Sequence, residues 1–127
     1  MRNNTELVFV YNADSGIFSS IKDSIHKSIS PKTYGCNLCG LTYGKLSMKD
    51  EWKTFIKGLT FKTEFLHKDE FKKKYPKYAM TFYPAVFKKE GAQLFPFISA
   101  DEINKQKSLE ELKQLIQNKI QTLQAII

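Results

Sequence analysis

Cys36 and Cys39 stand in the stretch YGCNLCGLTYGKLS (residues 34–47), and they are the only two thiols in the 127-residue chain. Their C-x-x-C spacing suits a redox dithiol, because two sulfurs one helical turn apart can close a small disulfide ring, and it also supplies half of a tetrahedral metal site. The same stretch carries Gly40, Gly44, Lys45 and Ser47, which imitate a phosphate-binding loop. Such a loop follows G-x-x-x-x-G-K-[ST], so that successive amides and the ammonium group converge on the phosphates. Here three residues separate the glycines, and Leu46 stands between Lys45 and Ser47. Sulfur chemistry is the reading to carry forward.

If a helical turn starts near Gly35, both sulfurs fall on one side of it, with Cys36 at the amide-rich end where a thiolate is favoured. Lys32 and Lys45 are the cations within sequence reach that would strengthen this. Cys36 is then the attacking thiolate and Cys39 the resolving thiol. Two further readings stay open: a pair of thiols packed under a loop, and a metal site. A metal site needs two more ligands, and besides carboxylates the chain offers only His26 and His67. His26 fits no zinc spacing, and His67 precedes KDEF, where a helix cap is the ordinary use. The reading therefore names no metal ligand and no cofactor.

The chain is long enough to bury a core without metal or disulfide staples, and residues 1–127 are expected to form one domain. The apolar run LVFVY lies between Glu6 and Asp14 and is too short for a signal-peptide core or a membrane span. The expected setting is the cytoplasm, with no membrane partner, where a cysteine pair is more often reduced, catalytic or metal-bound than a permanent disulfide. Residues 45–89 hold 12 basic and 5 acidic side chains, which accounts for the whole net charge of +7. Arg2 is the only arginine, so the bidentate contacts that read bases are missing, and no sequence-specific nucleic-acid partner is expected. The lysines at 72, 73, 74, 77, 88 and 89 read as a solvated face.

The elements that must position the cysteines follow from hydrophobic spacing. LVFVYN (residues 7–12) reads as a strand buried on both faces. Asp14 or Ser15 then caps a helix with Ile17, Phe18, Ile21, Ile25 and Ile29 on one side, which Ser30-Pro31 ends. After the cysteine segment, Ser47 and Asp50 form a capping box for a helix bearing Met48, Trp52, Phe55 and Ile56, and Gly58 stops it. A strand (residues 60–66), a short charged helix (69–75) and a hairpin turning at Gly91 follow. Ser99 with Glu102 and Ser108 with Glu111 open the terminal helices, whose stripe of Leu109, Leu112, Leu115, Ile116, Ile120 and Leu123 is expected to cover the hairpin.

FYPAVFKKEGAQL resembles the thioredoxin segment in which a cis-proline opens a strand and a glycine turn returns the next one. The order of strand, helix, strand, helix, hairpin and helix resembles the thioredoxin-like fold, and the chain is also similar to small bacterial proteins of unassigned function. The resemblance implies an α/β fold with a central mixed sheet of about four strands flanked by helices, and a cis bond at Tyr83-Pro84. It further implies a cleft between the loop after the first strand and Pro84, lined by Asn12, Asp14, Ser15, Tyr83 and Pro84. In thioredoxins the C-x-x-C occupies that loop; here NADSG stands there, and the cysteines come one helix later. The expectation is a thioredoxin-like protein exchanging disulfides with a protein thiol through Cys36 and Cys39. The alternative is a binding or scaffold domain whose cysteines are structural or metal-binding.

Overall fold

The computed structural model describes residues 5–12, 37–43 and 48–126, the last three of these as backbone only. Its centre is β1 (Thr5–Tyr11), where Leu7, Val8, Phe9 and Val10 are all buried. An unbroken apolar run, rather than an alternating one, is what a strand covered on both faces requires. β1 pairs in parallel with β2 (Lys62–His67) and antiparallel with β3 (Ala85–Glu90), and β4 (Gln93–Ile98) closes the hairpin with β3. The result is a mixed four-stranded sheet in the order β2-β1-β3-β4, flanked by helices. The α/β class with about four strands expected from the sequence is what is found.

Each sheet face has its own cover. On one, Leu7, Phe9 and Tyr11 pack with residues of α1 (Asn37–Thr42), α2 (Asp50–Lys57), α4 (Ala100–Asn104) and α5 (Leu109–Ile126). On the other, Val8, Val10, Ala85, Phe87 and Leu94 meet Phe71 of α3 (Lys68–Lys74) and the rings of Tyr75, Tyr78 and Tyr83. The expected stripe of α5 is core: Leu109, Leu112, Ile116 and Ile120 are buried, and Leu115 and Leu123 pack against them. The helix expected over residues 15–29 lies outside the described residues.

One helix start differs from expectation. The N-cap of α2 is Lys49, with an extended backbone (φ −66°, ψ 141°) and no side-chain cap, whereas Ser47 lies outside the described residues. Met48 forms a β-bridge with Tyr43, and the Lys49 N–H donates to the Thr42 carbonyl at 2.8 Å. Backbone pairing thus keeps the chain extended through Lys49, and Asp50 and Glu51 supply the negative first turn that the helix dipole favours. Elsewhere the local signals hold. Glu102 N–H donates to Ser99 Oγ (3.1 Å) and Ser99 N–H to Glu102 Oε1 (3.0 Å), a reciprocal capping box. At α5 Glu111 N–H donates to Ser108 Oγ (3.1 Å), but the Glu111 carboxylate accepts from Lys107 N–H (2.7 Å), one residue early.

The hairpin turns at Gly91, whose φ of 63° lies where an L side chain is strained, while no atom within 4 Å would meet a Cβ there. Pro96 occupies the outer strand β4 opposite Phe87, next to a register shift between Val86 and Phe87. An edge is where a strand tolerates a residue without an N–H. The Tyr83–Pro84 bond is cis, as the resemblance implies, and Pro84 directly precedes β3. Among the described residues no helix is long and apolar enough to cross a membrane.

Candidate functional site

The register of the sheet sets where the loops meet. Val10 lies opposite Ala85, and Tyr11 opposite His67. Asn12, His67 and Pro84 therefore emerge at one end, the carboxyl end of the two parallel strands, where open α/β sheets expose their loops. Ile98 lies opposite Val86 at that same end, so Ser99 and the start of α4 join the group. Asn12 Oδ1 accepts from Lys68 Nζ at 3.3 Å, linking the loop after β1 to the helix after β2. At β2's end the Glu70 carboxylate accepts from the His67 N–H and contacts its ring Nδ1, both at 2.8 Å. The His67 backbone bond holds the Glu70 carboxyl below its ordinary pKa. His67 thus serves as a helix start, the use its position before KDEF suggests.

Cys39 lies in α1, only 6 % exposed, and it is disulfide-bonded. The sequence holds one other cysteine, Cys36, which lies outside the described residues together with Asp14 and Ser15. A sulfur already in a disulfide is no thiolate ligand, so the oxidised state and the metal reading exclude each other. His26 also lies outside the described residues. Gly40, the first glycine of the imitation phosphate loop, sits inside α1, where its amide belongs to a helix rather than a cradle.

α1 is anchored from both ends. At its start, Asn37 Nδ2 donates to the carbonyls of Ile103 (2.7 Å) and Gln106 (2.9 Å), at and just beyond the end of α4. At its end, the Thr42 hydroxyl donates to Leu38 O at 2.8 Å, and the Tyr43 ring stands edge-on to Tyr11 with centroids 5.6 Å apart. Burial raises the Tyr11 pKa well above its ordinary value, with the neighbouring Tyr43 adding to the effect, and burial also raises Tyr43. Both phenols stay protonated near neutral pH and are hydrogen-bonding groups there, not bases. Sequence reasoning did not mark Asn37 or Tyr43. Nothing in the chain signals that Asn37 meets carbonyls 66 and 69 positions away.

The cleft expected between the loop after β1 and Pro84 includes Asp14 and Ser15, which lie outside the described residues. A cavity of about 530 Å³ opens beside Tyr83, but it runs toward β4 and α4, lined among others by Phe82, Pro96, Ser99 and Asp101. Tyr83 is shared with the expectation, whereas Asn12 and Pro84 are absent from this lining. The Tyr83 ring stands edge-on to Phe71 at 6.1 Å, and its hydroxyl donates to Ala79 O at 3.0 Å. That anchoring holds the ring against α3 while the neighbouring Met80 and Phe82 stand 97 % and 84 % exposed. Among the described residues no group of three His, Cys, Asp or Glu side chains is arranged to hold a metal. No protein-family model, curated protein or solved structure matches the chain.

Proposed function

We propose that the protein is a cytoplasmic thiol-disulfide exchanger of thioredoxin-like fold, acting on a protein thiol partner through Cys36 and Cys39. The observation that carries this reading is Cys39, disulfide-bonded in a C-x-x-C sequence and buried within the first turn of α1. Burial suits a resolving thiol, which attacks only the neighbouring Cys36 sulfur once that is bonded to the partner, and needs no access to the partner itself. The sheet order β2-β1-β3-β4, with Pro84 leading into β3, supports the scaffold. In the cytoplasm a disulfide is usually transient and catalytic, which favours exchange over a permanent staple.

The chemistry conserves electrons between two dithiol-disulfide pairs. In the reducing direction the Cys36 thiolate attacks one sulfur of a partner disulfide, forming a mixed disulfide and releasing the partner's other sulfur as a thiolate. Cys39, once deprotonated, attacks Cys36 Sγ, closing the internal disulfide and releasing the partner's second thiolate. The partner gains two electrons, the protein loses two, and both released thiolates take protons from water. The reverse sequence oxidises a partner dithiol.

The test is the reduction potential of the native protein together with alkylation of its reduced form. Exchange predicts a potential in the range of about −270 to −120 mV, and faster alkylation of Cys36 than of Cys39 near neutral pH. Cys36→Ser should abolish exchange and leave the fold intact. The second reading, a binding scaffold with a structural disulfide, is favoured by the placement of Cys39 within the core cluster. It predicts a potential below about −300 mV and thiols that react only on unfolding, and that result would sink the exchange reading.

A further inference from the structure

We propose that the cavity between the loop before β3 and the start of α4 is a binding site for a small primary ammonium ion with an apolar body, a role that goes beyond the exchange reading and uses neither cysteine. Its volume of about 530 Å³ lies within the range of about 300 to 1,000 Å³ typical of small-molecule sites. Val86, Pro96 and Ile98 make part of its wall apolar, while Thr81, Asp101 and Asn104 bring polar groups to it and Phe82 an aromatic ring. A bulge shapes this wall. Val86 lies opposite Ile98 and Phe87 opposite Pro96, which leaves Phe97 as the extra residue of β4. Bulges recur beside functional sites because the bend re-aims the strand.

The groups left without partners here are the ones that suit a cation. Elsewhere Glu51, Glu64, Glu90, Glu102 and Glu110 are each ion-paired with a lysine. The rings of Phe55, Tyr75, Tyr78, Tyr83 and Phe95 each carry a lysine ammonium 5.3 to 5.9 Å from the centroid. Lysine is thus in surplus, with 20 basic side chains against 13 acidic, yet two cation-binding groups beside the cavity are unused. Among the described residues Asp101 has no ion pair, and Phe82, 84 % exposed, has no ammonium over its ring. The side chains of Thr81 and Asn104 make no hydrogen bond there either. A primary ammonium has three N–H donors, which the Asp101 carboxylate and the Thr81 and Asn104 oxygens can accept, and the face of an aromatic ring attracts its charge. An anion would meet the Asp101 carboxylate, and an apolar molecule would strip water from these polar groups without replacing it. The net charge of +7 repels any cation at a distance, but at about 0.15 M salt that repulsion is screened beyond about 8 Å, and the local contacts decide.

The experiment titrates the isotope-labelled full-length protein with phenethylammonium at about 0.15 M salt and follows the backbone amides by NMR. Saturable shifts should centre on Thr81, Phe82, Asp101 and Asn104. Phenylacetate, which reverses the charge, and phenylethanol, which removes it, should each bind at least about tenfold more weakly. Asp101→Asn, which keeps the shape, should weaken phenethylammonium about tenfold, and Phe82→Ala about threefold. Both side chains are exposed, so neither variant removes core packing, and unchanged amide shifts away from the cavity will check the fold. Equal affinity for phenylacetate, shifts centred elsewhere, no saturable shift up to about 10 mM, or full affinity in Asp101→Asn would overturn the proposal. So would binding of a capped lysine peptide without binding of phenethylammonium, since the occupant would then be a protein partner. The oxidised and the reduced protein should bind the amine equally, so failure of the exchange reading leaves this test intact.

Discussion

Tyr11 keeps a phenol at the end of the central strand with 1 % of its surface exposed. Burial first, and then the charge that Tyr43 would carry, raise its pKa, so the folded chain holds a proton that the unfolded chain releases near pH 10. Folding stability from this group is fully present below about pH 10 and is lost as the pH climbs toward the folded value. Lys74, raised by its bond to Glu64, titrates in the same window, so the wild type alone cannot isolate the phenol. Tyr11→Phe should lose less stability than the wild type between about pH 9 and pH 11, as read from urea unfolding at each pH. Equal slopes for the two proteins would show that the phenol ionises without unfolding. Glu102 acts at the other extreme: Lys119 first, and then the Ser99 N–H, hold its carboxyl below its ordinary pKa. Its contribution is present above about pH 4.3 and is lost as the pH falls through the folded value. Glu102→Gln should therefore be less stable than the wild type at neutral pH, and the gap should close in acid. A gap of constant size would assign the effect to shape, not charge.

At the scale of elements, α5 is the cover on which one sheet face depends. Ile116 is fully buried there, and Leu112 nearly so. Ile116→Ala removes a core side chain from a close-packed site and should cost about 2 to 5 kcal/mol, measured as a lowered urea midpoint at unchanged m-value. A loss under about 1 kcal/mol would mean that this face does not rely on α5. These elements were legible because their signals are local. The run of Leu7 to Val10 gave the central strand, the spacing of Leu109, Leu112, Ile116 and Ile120 gave the helix, and Gly91 gave the turn. Ser99 with Glu102 is a cap whose partners are three residues apart. Ser47 misled because its rival is not local: the bridge between Met48 and Tyr43 keeps the chain extended to Lys49. Asn37 was missed for the same reason, since its partners come from the end of α4 and the turn just beyond it.

For the molecule as a whole, the positive charge is less concentrated than its sequence positions suggest. Lys88 and Lys89 are consecutive in β3 and so point to opposite sheet faces, one toward Phe95 and the other toward Tyr75. Lys74 pairs with Glu64, while Lys72 and Lys77 lie over the rings of Tyr83 and Tyr78. Five of the six lysines expected to share one solvated face are thus divided among several local partners. Binding to an oligonucleotide of mixed sequence should be weak, should not discriminate between sequences, and should vanish as salt rises past about 0.15 M, where screening acts within about 8 Å. Tight binding of one sequence at that salt would contradict this. The meeting of Asn12 with Pro84 was expected from the resemblance, but the arrival of His67 and Ser99 at the same end could not be read in advance, because it depends on strand register, which sequence spacing alone does not set. Pro96 carries a different consequence, for the protein in a crowded solution. An outermost strand normally offers a ladder of free amides to any extended chain that drifts past, and such pairing seeds fibrils. The ring at Pro96 deletes a rung of that ladder, and the neighbouring bulge disturbs the spacing of the rest. Replacing Pro96 by a β-branched residue would restore the rung and turn a guarded edge into a template on which copies of the chain could stack.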